Sequence, residues 1–146
     1  MKILIITIIS LLLSFFISCA SITANENIIS TLYNVACVVF SIGMGLIITF
    51  PLNGVKNIYY IQAIRSSIKK VRNKFIIVFA ICTLSYIIQN FIPKIKIYTV
   101  YLNLFISNFT WIFFVCAIAY FIVNFINVQN LKYNIFDRVL EEENKK

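Results

Sequence analysis

The sequence predicts an all-α integral membrane protein, a four-helix bundle with an amphipathic cytoplasmic loop helix and a C-terminal helical extension. Four apolar stretches, residues 3–21, 28–51, 75–92 and 97–127, approach or exceed the about 20 residues that one helical crossing of a bilayer needs. Composition agrees: 61% of residues are hydrophobic and 12% charged, against about 45–50% and about 25% in soluble domains. The third observation is a basic segment, residues 53–74, that holds Lys56, Arg65, Lys69, Lys70, Arg72 and Lys74 and no acid. A chain of 146 residues with so little outside its apolar stretches forms a single membrane domain.

The first stretch follows Met1 and Lys2 directly and carries Ser10, Ser14 and Ser18 at a spacing of four. Helices in lipid associate through close packing of small residues and through interhelical hydrogen bonds, so this serine stripe marks a packing face. A retained helix is the principal reading. The same residues, with Ala20 and Ala24 after them, also fit a cleaved secretory signal, which would leave three crossings. Phe16-Ile17-Ser18-Cys19 approximates a lipidation signal at Cys19, with Phe16 where Leu is usual.

In the second stretch Asn34, Ser41 and Gly45 lie seven and four residues apart, with Gly43 between and Thr49 a turn later. The third holds Thr83, Ser85, Gln89 and Asn90 toward one end, and Pro93 closes it. The fourth repeats Asn103, Thr110, Ala117 and Asn124 at heptads, with Ser107 on the same side. All these small and polar faces are expected to point inward, as helix-packing surfaces within the chain or between copies, or as a polar lane. No Asp, Glu, Lys or Arg stands at the middle of a stretch, which argues against a proton-coupled transporter or a voltage sensor.

The fourth stretch is too long for one crossing, since residues 97–128 as a helix would reach about 48 Å across a core of about 30 Å. It is expected to project, because Leu131, Ile135 and Val139 continue an apolar stripe through the tail, residues 128–146. The basic segment is amphipathic too: Ile58, Ile61, Ile64, Ile68, Val71 and Phe75 follow helical spacing. It is read as a loop helix resting on anionic inner-leaflet lipids, and as a partner for the tail. Arg65, Lys69, Lys70, Arg72 and Lys74 are the candidate lipid or protein contacts. Glu141, Glu142 and Glu143 could latch onto Arg65, Lys69 and Arg72 from the same compartment.

Orientation follows from the cations, which are retained in cytoplasmic loops. Six cations in residues 53–74 outweigh Lys94 and Lys96 in the third loop, and the first loop carries only Glu26. The basic segment and the C-terminus therefore belong inside, together with the N-terminus if the first stretch is retained. Abundant Ile, Asn, Lys, Phe and Tyr is what AT-rich coding yields, which fits a bacterial or mobile-element origin, and the expected location is a bacterial inner membrane.

Enzymatic chemistry is not expected. The chain has no His, so it lacks the commonest general base and a principal metal ligand. Cys19, Cys37, Cys82 and Cys116 are scattered singly and read as buried small hydrophobes, not as a metal set. No phosphate loop or nucleophile elbow occurs, and no cofactor is implied. A net charge of +8 is accounted for by membrane orientation, so nucleic acid is not an expected partner.

Two non-enzymatic classes remain. In the first, the chain homo-oligomerises and perturbs the bilayer; its general plan is similar to small multi-spanning toxins and membrane effectors of bacterial anti-phage systems, without a motif that assigns a family. In the second, it is a scaffold, sensor or accessory subunit that recruits a cytoplasmic protein through the basic loop and acidic tail.

Overall fold

The structure, a computed structural model, describes residues 2–19, 25–50, 58–91 and 100–144. All the regular structure among them is helical: α1 (Lys2–Cys19), α2 (Glu26–Ile48), α3 (Ile58–Phe91) and α4 (Val100–Asn144). Three of the four, α2, α3 and α4, are long and apolar enough to cross a membrane, while the apolar part of α1, Ile6–Cys19, is shorter.

The start of α2 is set locally. Asn25 caps it, its side-chain oxygen accepting a hydrogen bond from the Asn27 amide at 3.1 Å, which satisfies one of the donors that a helix start leaves open. At the other end the Thr49 amide donates to the Gly45 carbonyl at 3.0 Å and closes the last turn.

The basic segment departs from expectation. A separate loop helix before a third crossing is not what forms; from Ile58 the chain runs as one α-helix through the cations to Phe91. The physical reason is in the sequence, since residues 58–91 contain neither Gly nor Pro and hence nothing that breaks the backbone ladder. Residues 100–144 lack both as well, and α4 is likewise unbroken over 45 residues. At 1.5 Å per residue α3 is about 51 Å long and α4 about 68 Å. Both exceed a hydrocarbon core of about 30 Å.

Three aromatic layers join α2, α3 and α4. Tyr33 stacks on Tyr86 with ring centroids 4.4 Å apart, bonds through its hydroxyl to Thr83 Oγ1 at 3.2 Å, and leans on Phe114. Phe40 stacks on Phe79 at 4.1 Å and touches Phe121. Phe75 then packs between Phe121 at 5.0 Å and Tyr120 at 6.1 Å. The first two layers are one heptad apart on each helix, from Tyr33 to Phe40, Phe79 to Tyr86 and Phe114 to Phe121, so near-parallel helices repeat the same contact after two turns.

Gly43 makes room for the third layer. A Cβ there would come within 2.5 Å of Phe75 Cε2, whereas nothing lies within 4 Å of the same atom built on Gly45. Phe75, Phe113, Phe114, Phe121 and Ala117 are all fully buried, and Ile29, Ala36 and Ile47 complete the inner face of α2.

Beyond the aromatic layers the basic half of α3 and the end of α4 continue as an antiparallel pair. Arg138 Nη1 donates to the Tyr60 hydroxyl at 3.5 Å and its guanidinium lies 5.7 Å from the Tyr60 ring centroid. Ile64, Val128 and Ile135 are buried along this pair. The apolar stripe of the tail is thus covered by the stripe of the basic segment.

Gly43→Val should force the Phe75 ring to move and cost about 1–3 kcal/mol, the usual range for overpacking. Gly45→Val should change stability by less than about 0.5 kcal/mol, as at an open surface position. Unfolding titration of the two variants in mixed micelles checks the difference.

Candidate functional site

No group of three or more His, Cys, Asp or Glu that could hold a metal ion occurs among the described residues. Three surfaces built from the predicted residues remain: the seam of α1 with α4, the outward face of α2, and a cationic cavity at the basic end.

At the first, Ser10 and Ser14 are fully buried. Their hydroxyls donate to their own helix, Ser10 to the Ile6 carbonyl at 2.9 Å and Ser14 to the Leu11 carbonyl at 2.8 Å, so they present small satisfied surfaces that let α4 approach. Ser18 works differently. Its hydroxyl accepts a hydrogen bond from Asn108 Nδ2 at 3.1 Å, and Asn108 Oδ1 accepts one from the Trp111 indole at 3.1 Å. Asn108 is fully buried and ties α1 to α4 in this way. It falls outside the heptad set of Asn103, Thr110 and Asn124; the signal that marks it is the Trp three residues later, whose indole needs an acceptor when buried.

Of the residues expected to form a polar lane on the fourth helix, Thr110 and Asn124 turn to their own backbone. Thr110 is fully buried and donates to the Ile106 carbonyl at 2.8 Å, while the half-buried Asn124 donates to the Tyr120 carbonyl at 2.7 Å. Each is satisfied on its own helix, and the space around them is filled by Phe113, Phe114 and Phe121. Ser107 is half-buried, and the side chain of Asn103 lies outside the described residues.

On α2 the expectation of an inward polar face is corrected. Asn34, Ser41 and Gly45 are all exposed, in line with the exposed Val38 and Ile42. The aromatic layers decide this: seating Phe75 on Gly43 turns Gly45 away, because residues two apart on a helix do not share a face. The Ser41 hydroxyl donates to the Cys37 carbonyl at 2.8 Å. The Asn34 amide has no hydrogen-bond partner among the described residues.

No protein-family model, curated protein or solved structure matches the chain significantly. Functional argument therefore rests on these surfaces.

At the basic end, Arg65, Lys69 and Arg72 stand on one face of α3 and meet the end of α2. With Ile47, Ile48, Phe50 and Ile68 they line an open cavity of about 340 Å³. Lys70 and Lys74 are exposed elsewhere on the helix and do not line it. The expected latch falls on side chains outside the described residues. α4 stays helical to Asn144; the side chains of Glu141, Glu142 and Glu143 lie outside the described residues. Of the cysteines only Cys82 is buried; Cys37 and Cys116 are half-buried and Cys19 is exposed. The reading of all four as buried is corrected accordingly.

Asn108→Leu should remove the acceptor of the Trp111 indole and the bond to Ser18. Interhelical hydrogen bonds in membranes average about 0.6 kcal/mol and reach about 1.7 kcal/mol, and a loss in that range is expected. Trp111 is the sole Trp, so its emission in micelles should shift to shorter wavelength, reporting this one contact.

Proposed function

We propose that the protein is a non-enzymatic integral membrane effector that assembles with copies of itself through the outward face of α2 and perturbs the bilayer of a bacterial inner membrane. In this reading all four helices enter the membrane, with the N-terminus, the basic end and the C-terminus cytoplasmic, as the cations dictate.

One observation carries the assembly. Asn34 stands three residues, about 4.5 Å, from the midpoint of α2, exposed and without a partner among the described residues. A polar amide facing hydrocarbon is costly, and a second amide across a helix pair relieves that cost. Ser41 and Gly45 on the same face let another backbone come close. The aromatic interior supports assembly from a second direction, since among the described residues Thr110 and Asn124 bond to their own helix and line no polar path within one chain. Perturbation of the bilayer then falls to several copies together.

A second reading, a scaffold or sensor that holds a cytoplasmic protein, is favoured by a different observation. In the proposed orientation the α3–α4 pair projects from the inner surface, and there Tyr133 and Phe136 are 63% and 61% exposed. Exposed aromatics outside lipid suit a protein partner.

Expression of the chain from an inducible promoter in a bacterium tests the first reading. The chain should depolarise the membrane and reduce colony formation, and Asn34→Leu/Gly45→Leu at equal membrane abundance should restore both. Full potential and normal growth with the parent chain, accompanied by retention of a stoichiometric cytoplasmic protein, would establish the scaffold instead.

A further inference from the structure

We propose that the cavity between the end of α2 and the basic half of α3 is a binding site for one anionic phospholipid, whose phosphate is held by Arg65, Lys69 and Arg72 and whose acyl chain lies against Ile47 and Ile48. The inference rests on the membrane-spanning orientation proposed above and is independent of self-assembly.

Four observations bring these groups to one ligand chemistry. The three cations recur at spacings of four and three on α3, so they converge on one face instead of encircling the helix. None of them has a carboxylate partner among the described residues; Arg72 reaches only the neighbouring Asn73 amide oxygen, at 3.5 Å. The site has apolar walls from Ile47, Ile48 and Ile68, and Ile48 is 72% exposed on the side that continues down α2. Its depth is fixed by α2, which ends beside it with Thr49 as the closing residue. In the proposed orientation that level is the headgroup layer of the inner leaflet.

The nearest competing account is that the cations serve the end of α2 itself, whose carbonyls carry the negative pole of the helix. That pole amounts to about half an elementary charge, against three positive charges. At least two of them have no countercharge among the described residues. Arginine forks suit phosphate oxygens, and an aqueous anion would have no use for the isoleucine wall. A cavity of about 340 Å³ is at the small end of the about 300–1,000 Å³ range of small-molecule sites, enough for a headgroup and the first part of a chain.

The full chain reconstituted in phosphatidylcholine discs, with and without phosphatidylglycerol, provides the test, with retained lipid counted by native mass spectrometry. Resistance of the chain to carbonate extraction from pure phosphatidylcholine vesicles is measured first; extraction there would contradict the membrane-spanning orientation, whatever lipid is retained. One phosphatidylglycerol per chain should survive release from the disc. Arg65→Gln/Lys69→Gln/Arg72→Gln should weaken its retention about a hundredfold, as about fivefold per cation implies. Lys70→Gln/Lys74→Gln/Lys132→Gln, which removes the same charge off the cavity, should retain it within about tenfold. Unchanged Trp111 emission in both variants confirms an intact fold. Equal loss in the two variants would overturn the proposal in favour of diffuse surface attraction. Displacement of the lipid by millimolar inorganic phosphate would overturn the lipid in favour of a soluble anion.

Discussion

The contact between Phe75 and Gly43 fixes the arrangement of the three long helices. It decides which side of α2 faces inward, and the aromatic layers above it follow in register: Phe40 on Phe79, then Tyr33 on Tyr86. α4 completes each layer with Phe121 or Phe114. In the proposed membrane setting, where burial of apolar surface gives helices no advantage over acyl chains, such dense contact would be the available source of cohesion. α1 is attached by other means, through the close approach that Ser10 and Ser14 permit and the Ser18–Asn108–Trp111 hydrogen bonds.

This division has a functional consequence. Large rings occupy the interior, and the polar groups that could have lined a path, Thr110 and Asn124, are bonded to carbonyls of their own helix. What the chain offers to other molecules lies on its outside: the Asn34–Ser41–Gly45 face, the cationic cavity, and the projecting α3–α4 pair. The proposed assembly, lipid binding and partner recruitment would draw on three different surfaces, so they can be tested separately.

The helices themselves were legible in the sequence, because long apolar stretches without an internal Pro leave the backbone one way to satisfy its polar groups in hydrocarbon. The length of α3 was harder to read. Arg65, Lys69, Lys70, Arg72 and Lys74 suggested a change of environment, and hence of direction, but a charged helix can leave the bilayer without bending. Which face turns inward was hidden for a related reason. When a helix is apolar all round, periodicity no longer separates core from surface, and Phe40 on the inside resembles Phe91 on the outside. Small residues were the remaining guide. They mark the buried side of α1 at Ser10 and Ser14, but on α2 the sequence presents two glycines on different faces and only Phe75 distinguishes them. Asn108 escaped because the heptad rule that gathers Asn103, Thr110 and Asn124 passes over it.

The measurement that tests the central claim most directly is disulfide scanning along α2 in native membranes. The chain is first freed of Cys19, Cys37, Cys82 and Cys116, and single cysteines are then placed at each position from 31 to 48. Crosslinks between copies should peak at positions 34, 38, 41 and 45 and be absent at 36, 43 and 47. Crosslinking centred on 36, 43 and 47, or none anywhere at full membrane expression, would contradict an assembling protein whose α2 faces its neighbours.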